Sequence, residues 1–142
     1  WRDRGLAGAV ATAVRASGLA DRTLVSSFSP LALARLRLRA PELRIGYLWR
    51  AHAAVPRWLR SPWPAGWLHA DALHPEHPLV TPEAVAGWHR GGALVQTWTV
   101  NADADVARVR AAGADGIIGD DPHALRRALA ATAAGEPPEE AA

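Results

Sequence analysis

The chain has 142 residues, which is enough for one domain or for part of a larger one. Hydrophobic residues make up 49% of it, so it can bury a core, yet no apolar run is long enough for a transmembrane helix. The absence of Cys excludes disulfides, thiolate metal sites and cysteine nucleophiles. The formal net charge is only +2, and the arginines are spread along the chain, so we expect no nucleic-acid-binding face.

Helices are predicted from apolar spacing and from capping residues. The first covers residues 5–17, where Leu6, Val10 and Val14 share one face, and Gly18 ends it. Further helices are predicted around residues 30–40, 82–90, 103–112 and from 122, with a short turn near 55–59. Three of these helices begin with a capping residue followed by proline: Ser29-Pro30, Thr81-Pro82 and Asp121-Pro122.

Strand formers alternate with these helices. The predicted strands are 23–28, 44–49, 67–73, 93–100 and 115–118. Alternating strands and helices predict an α/β fold with a parallel sheet, either open or closed as a (β/α)8 TIM barrel. A complete barrel needs about 250 residues, so the chain would be half of one. Residues 132–142 are rich in Ala, Gly, Pro and Glu, and we expect a disordered C-terminal tail there.

Several stretches together resemble the C-terminal half of the glycerophosphodiester phosphodiesterase family. They are Ser27-Phe28, Gly46-Tyr47-Leu48, His74-Pro75, Trp98-Thr99-Val100-Asn101 and Asp115-Gly116-Ile117-Ile118-Gly119-Asp120-Asp121-Pro122. The resemblance implies that residues 1–131 are the C-terminal part of a TIM barrel whose N-terminal strands are missing from this chain. Two departures stand out, since Gly119 replaces the usual Thr and an extra Asp precedes Pro122.

The resemblance also implies an activity. The family hydrolyses a glycerophosphodiester with water to glycerol 3-phosphate and an alcohol, in lipid metabolism, with a divalent cation such as Ca²⁺ or Mg²⁺. The family's metal ligands and catalytic histidines have no matching place here, so we expect them upstream of this chain. We therefore expect no catalytic residue and no metal ligand in the chain itself, and an inactive isolated chain.

Four residues are predicted to line the substrate pocket. Phe28 and Trp98 fall near the C-terminal ends of predicted strands, where TIM barrels place their sites. Alternation along the fourth strand puts Gln96, Trp98 and Val100 on one face. His74 takes the position before proline in the loop 74–78, and Asn101 follows the fourth strand, where it could instead cap the next helix.

Other polar residues have simpler interpretations. His69, Asp71, His74 and His77 match no standard zinc spacing and are more simply a polar strand end and loop. Asp120 could face the pocket, whereas Asp121 reads as a helix cap. Ser26 and Ser27 lack the glycines of a nucleophile elbow, which excludes serine hydrolase chemistry.

The tripeptide His89-Arg90-Gly91 looks like the family's catalytic motif but precedes a predicted strand instead of following one. It should therefore lie at the non-catalytic end of the sheet.

The small-molecule partner expected is a glycerophosphodiester, and the protein partner expected is the missing N-terminal half of the barrel. We expect a cytoplasmic location. Two alternatives stay open: a non-catalytic barrel module that binds a phosphorylated ligand or a partner chain, and a different phosphate-handling TIM barrel.

Overall fold

The computed structural model describes residues 5–134 and shows strands alternating with helices along the chain. The elements in chain order are α1 Leu6–Ser17, β1 Leu24–Ser27, α2 Pro30–Arg39, β2 Arg44–Trp49, α3 Trp63–Leu68, β3 Ala72–Pro75, α4 Pro82–Arg90, β4 Leu94–Thr97, α5 Asp103–Ala111, β5 Gly116–Ile117 and α6 Pro122–Ala134. The predicted α/β class is therefore confirmed.

The strands are parallel and are ordered β1-β2-β3-β4-β5. In the β1–β2 pair, Ser26 lies opposite Gly46. In the β4–β5 pair, Gln96 lies opposite Gly116. Parallel neighbours in chain order require a crossover between strands, which the intervening helices provide.

The chain divides into two compact units, with the boundary between Leu73 and His74. In the first unit, the face of β2 that carries Ile45, Tyr47 and Trp49 is buried. The Tyr47 ring stacks on Trp49 with centroids 5.9 Å apart, and its hydroxyl donates to the Leu59 carbonyl at 3.2 Å. Burial raises the pKa of Tyr47 to about 12, so it stays neutral and serves as a donor.

The second unit has a core rich in valine. Its buried members come from α4, β4, α5, α6 and the loops between them: Val80, Val85, Val95, Val100, Val106, Val109, Ala112, Leu125 and Ala128. Branched residues from a strand and from the helices beside it fill the space between these layers, as a packed parallel sheet requires.

The three predicted caps are confirmed by their hydrogen bonds. Ser29 Oγ and Thr81 Oγ1 each accept the backbone N–H three residues later, at 3.2 Å. Asp121 Oδ1 accepts the N–H groups of His123 and Ala124, at 2.8 and 3.1 Å. The Ala124 amide, followed by the His123 amide, holds the pKa of Asp121 below its usual range.

The predicted third strand is wrong at its start. Residues Trp63–Leu68 form α3, and β3 begins only at Ala72. The alternation in 67–73 suggested a strand, but Pro64 falls in the first turn of a helix, where its missing N–H costs little. Ala65 and Leu68 are buried on that helix, and His69 ends it in the left-handed conformation with φ 48°.

Smaller corrections concern element ends. The strand β4 stops at Thr97, so its alternation does not reach Val100, which is fully buried while Trp98 is only partly buried. Helix α6 continues to Ala134, so residues 132–134 are helical, contrary to the predicted tail. The rest of the predicted tail, 135–142, lies outside the described residues. No helix within 5–134 combines the length and apolar character needed to cross a membrane.

Acid–base pairs recur where strands begin. A base near the end of a helix meets an acid that stands shortly before a later strand. These pairs are Arg15–Glu42 at 2.7 Å, Arg37–Asp71 at 2.9 Å and His89–Asp115 at 2.8 Å.

Two of the acids bond the backbone as well. Asp71 Oδ2 accepts the N–H of Ile45 at 2.8 Å, and Asp115 Oδ2 accepts the N–H of Val95 at 2.7 Å. Ile45 and Val95 are each the second residue of a strand. Each of these carboxylates therefore joins a helix end to the start of a strand.

The contact with Asp115 explains the position of His89 in the fold. Its Nε2 contacts the carboxylate that precedes β5 and that also holds the start of β4. His89 thus lies at the N-terminal end of the strands, as predicted for a tripeptide that precedes a strand. Burial raises the pKa of Asp115, but the Val95 amide and His89 outweigh it and the net direction is downward.

Replacing Asp115 with Asn should destabilise the fold at neutral pH. The charged acceptor of two hydrogen bonds is lost, but its side chain is 35% exposed, so we expect a loss of only about 1 kcal/mol in the free energy of unfolding. Because the folded-state pKa of Asp115 is depressed, its contribution is present above the unfolded pKa of about 3.9. It disappears as the pH falls through the folded value.

Urea unfolding of D115N and the parent at pH 7 and at strongly acidic pH measures this difference. The exposed Asp21 offers a control, and D21N should match the parent at both pH values. A D115N defect that persists undiminished in acid would contradict the role of the charge.

Candidate functional site

Trp98 stands directly after β4 and is held by the main chain of β3. Its indole Nε1 donates to the His74 carbonyl at 2.8 Å, and its backbone N–H donates to the Pro75 carbonyl at 3.2 Å. Its own carbonyl accepts the His77 N–H at 2.8 Å. The indole and the backbone of Trp98 are thus both fixed by hydrogen bonds. The ring is partly buried at the C-terminal end of the strands.

The neighbouring residues reinforce this junction. Thr97 is fully buried, and its hydroxyl donates to the Pro75 carbonyl at 3.1 Å. Glu76 pairs with Trp98 as an isolated parallel bridge. Sequence reasoning did not single out Glu76, although a carboxylate directly after a strand is itself a signal for the end of the sheet that carries the site.

Asn101 and Asp120 are brought together after β4 and β5. Asn101 Nδ2 donates to Asp120 Oδ2 at 2.7 Å, and the Asp120 N–H donates to Asn101 Oδ1 at 2.9 Å. Neither Asn101 nor Asp103 caps α5, because Ala102 holds the cap position without a side-chain bond. The two exposed side chains therefore join two loops that follow strands, and both were candidates from the sequence.

Gly119 lies close to the Asn101 side chain of this pair. A Cβ built on it would collide with the Val100 carbonyl oxygen, and would lie 2.9 Å from Leu125 Cδ1 and 3.1 Å from Asn101 Oδ1. The Thr that is usual here in the resembling family would not fit this backbone. The departure at Gly119 thus accompanies a close approach of the two loops.

His74 lies inside β3, not in the loop predicted from the sequence, and is only 3% exposed. Neither ring nitrogen has a hydrogen-bond partner within residues 5–134. Burial lowers the pKa of His74, which favours the neutral ring. A buried imidazole without partners is costly, and such groups in native proteins call for a functional explanation.

Phe28 belongs to the first unit, whereas Trp98, His74 and Asn101 belong to the second. It follows β1 directly and is 47% exposed. The turn that presents it is fixed by Ser27 Oγ, which accepts the Ser29 N–H at 3.0 Å, and by the Ser29 cap. Ser27 thus has a structural role.

The histidines and acid of the 69–77 stretch do not form a common ligand set. His69 ends α3, and Asp71 bonds Arg37 and Ile45. His77 Nδ1 lies 3.0 Å from Arg108 Nη2 and 3.4 Å from Asp105 Oδ1, so His77 belongs with that pair. In the described part of the chain, no group of three or more His, Asp or Glu could hold a metal ion.

Arg108 fastens the turn after β3 to α5. Its Nη1 donates to the carbonyls of His77 and Val80 at 3.2 Å, and its Nε and Nη2 bond Asp105 Oδ1 at 3.2 and 2.8 Å. The hydrogen bond from Arg108 holds the pKa of Asp105 below its usual range, although burial opposes it. Sequence reasoning missed this clamp, although acid and base three residues apart on a helix are a recognisable pair.

A surface cavity of about 650 Å³ lies beside this clamp, lined by His77, Thr81, Asp105 and Arg108 among others. With its Nη2 contact to His77, Arg108 already makes five hydrogen-bonding contacts, as many as a guanidinium has N–H groups. None of the four predicted pocket residues lines the cavity. Arg108 therefore has no N–H group left to donate to a ligand in this cavity.

Substituting Gly119 with Ala should destabilise the fold because the new methyl group meets the Val100 carbonyl oxygen. We expect a loss of about 1–3 kcal/mol in the free energy of unfolding. Gly66, in α3, has nothing within 4 Å of its added Cβ and is the matched control. G66A should be neutral or slightly stabilising, because Ala is the better helix former. Equal melting temperatures for G119A and G66A would contradict the close approach.

Substituting His74 with Leu should stabilise the 142-residue chain. The change removes two unpartnered buried nitrogens at similar volume, so we expect a gain of about 1 kcal/mol in the free energy of unfolding. The exposed His123 provides the control, and H123L should leave it unchanged. Thermal unfolding by circular dichroism gives the comparison. A clear loss of stability in H74L would show that the imidazole is satisfied in the fold.

Comparison with known proteins gives a consistent result. The model of the glycerophosphoryl diester phosphodiesterase family matches residues 4–124. A curated glycerophosphodiester phosphodiesterase from Caldanaerobacter subterraneus subsp. tengcongensis is 34% identical over 114 residues, which are 80% of this chain and 44% of that protein.

Solved structures show the same fold. A candidate glycerophosphoryl diester phosphodiesterase from Silicibacter pomeroyi DSS-3 superposes with a TM-score of 0.81 at 32% identity, covering 94% of this chain and 45% of that one. A phosphodiesterase from Oleispira antarctica, in complex with the product sn-glycerol-3-phosphate, gives 0.63 at 23% identity over 75% of this chain and 41% of that one.

The chain spans less than half the length of these three relatives. The family model nevertheless covers most of its described residues, and the curated relative matches four fifths of it. The chain belongs to the glycerophosphoryl diester phosphodiesterase family.

Proposed function

We propose that this chain forms the C-terminal part of a TIM-barrel phosphodiesterase that hydrolyses a glycerophosphodiester to glycerol 3-phosphate and an alcohol. The observation that carries the proposal is the family match over residues 4–124, combined with relatives about twice as long. In the strand order, β1 and β5 stand at the ends, where further strands of a barrel would pair. Lipid metabolism and a cytoplasmic location are parts of the same proposal.

In this proposal Trp98 forms an apolar wall of the substrate site. One hydrogen bond from its indole N–H and two made by its backbone hold it at the end of β4. A fixed aromatic face suits the carbon atoms of glycerol or of the leaving alcohol, and it excludes water from them. Phe28, exposed after β1, is assigned the same role within its own unit.

Asn101 and His74 are assigned polar roles. The reciprocal bonds between Asn101 and Asp120 hold two loops that follow strands, so they fix the rim of the site. The His74 ring, neutral and unpartnered in the described chain, can donate one hydrogen bond and accept another. A substrate hydroxyl or a group on the rest of the barrel is the partner that we assign to it.

The catalytic machinery is assigned to the part of the relatives that this chain does not match. No described cluster of side chains fits a metal ion, so the proposal assigns no metal-dependent step to this chain. The Ca²⁺ or Mg²⁺ ligands and the acid and base histidines would then lie outside it. The residues described here bind, orient and shield the substrate.

The second candidate is a non-catalytic barrel module that binds a phosphorylated ligand or a partner chain. The lack of a metal-binding group in residues 5–134 agrees with this candidate as it does with the first. The two candidates differ in one respect: only the first makes this segment competent to complete an active barrel.

Two measurements test the proposal. First, the purified chain should release no glycerol 3-phosphate from glycerophosphocholine with Ca²⁺ or Mg²⁺, because it lacks a metal-binding group among its described residues. Second, residues 4–124 should support hydrolysis when they replace the matching segment of the Caldanaerobacter relative. Turnover by the chain alone would contradict the assignment of catalysis elsewhere.

A matched pair of variants sharpens the second measurement. In the chimera, W98A should lower kcat/KM by about tenfold or more, since a positioned apolar contact is lost. The exposed Trp58 is the control, and W58A should leave hydrolysis of this dissolved substrate unchanged. A folded chimera that binds glycerol 3-phosphate without hydrolysis would favour the non-catalytic module.

A further inference from the structure

The connection between β2 and β3, residues 50–71, carries an exposed group of tryptophans. Trp58 and Trp63 are each 54% exposed and Trp67 is 62% exposed. The same connection does bury apolar residues, namely Leu59, Pro64, Ala65 and Leu68. Its tryptophans therefore remain outside although the segment is packed, and we call these three residues the tryptophan patch.

The patch is ordered by its own contacts. The indole N–H of Trp63 donates to the Trp58 carbonyl, and the two rings lie 6.3 Å apart at an angle of 51°. Trp63 and Trp67 are four residues apart on α3, so they share one face of that helix. Nearby, the Tyr47 hydroxyl donates to the Leu59 carbonyl and ties the segment to β2. The three rings thus form one local surface.

The charged residues of this connection are mostly basic. No acidic residue occurs between Glu42 and Asp71, whereas the connection contains Arg50, Arg57 and Arg60. Arg60 is engaged within the segment, because it donates to the carbonyls of Val55 and Ala53 at 2.6 Å. Arg50 and Arg57 are exposed. The connection is therefore aromatic and cationic, and its one carboxylate, Asp71, is already paired with Arg37.

We propose that the tryptophan patch, with Arg50 and Arg57, docks on the surface of an anionic lipid bilayer. Tryptophan prefers the boundary between acyl chains and head groups, where its ring is half apolar and its N–H is polar. Arginine beside such rings is attracted to anionic head groups. An amphipathic surface segment of this composition lies in the interface and does not span the membrane.

The strand order does not suggest that further barrel strands cover the tryptophan patch. Such strands would pair with β1 and β5, the outer members of that order, whereas the patch leaves from β2. The connection begins at the C-terminal end of β2, the end at which parallel-barrel enzymes carry their sites. Docking through it would turn that end of β2 towards the lipid.

Flotation of the purified chain with vesicles tests the proposal without requiring catalysis, so it fails or succeeds independently of the proposed hydrolysis. The chain should float with vesicles of phosphatidylcholine mixed with phosphatidylglycerol, and much less with phosphatidylcholine alone. R50Q/R57Q should lower the partition coefficient about fivefold for each arginine. W58S/W67S, which leaves Trp63 in place, should lower it about tenfold or more.

Matched controls remove the same residue types from elsewhere. L31S/L38S removes two exposed leucines of α2, and R22Q/R126Q removes two exposed arginines, so both should float like the parent. Equal flotation of the patch variants and the controls overturns the proposal, as does the absence of flotation in the parent. If W58S/W67S instead abolishes self-association in gel filtration while no variant binds vesicles, the patch is a contact between copies and the lipid proposal is wrong.

Discussion

The arrangement of helices around the strands depends on hydrogen bonds made by a carboxylate that stands just before a strand. Asp71 and Asp115 each accept the N–H of a strand's second residue and a basic side chain from a helix end. A charged acceptor bonded to a backbone donor is among the stronger hydrogen bonds in proteins. These bonds fix where helices meet strand beginnings, and the candidate site residues lie at the opposite ends of the strands. His89 resembles a catalytic residue in sequence, but its side chain makes one of these structural contacts.

Local sequence rules succeeded where the determining contacts are local. A capping residue followed by proline located three helices, because the cap and its partner amides lie within three residues. The rules failed at 67–73, where alternation suited a strand but Ala65 and Leu68 are buried as a helix. They also failed at Val100, since alternation gives no information about where a strand stops. Burial decided both cases, and burial depends on residues distant in sequence.

The candidate site shows the same division. Trp98 could be placed at a strand end from its motif, because parallel strands bring their ends to one edge. The partner of Asn101 could not be predicted in this way. Asp120 is 19 residues away and meets Asn101 only through the pairing of β4 with β5. The burial of His74 and the five contacts of Arg108 likewise arise from packing between elements. Sequence alone indicated which residue types stood near the strand ends, and packing determined their partners.

The way in which Trp98 is held has a consequence for variation at the site. Its indole and backbone bond to main-chain atoms of His74, Pro75 and His77, not to their side chains. The carbonyl that anchors the ring would be present whatever residue occupied position 74. The placement of the Trp98 ring therefore does not depend on which side chain stands at position 74. Under the proposed function, a change at that single position would alter the polar character of the site while the Trp98 ring kept its place.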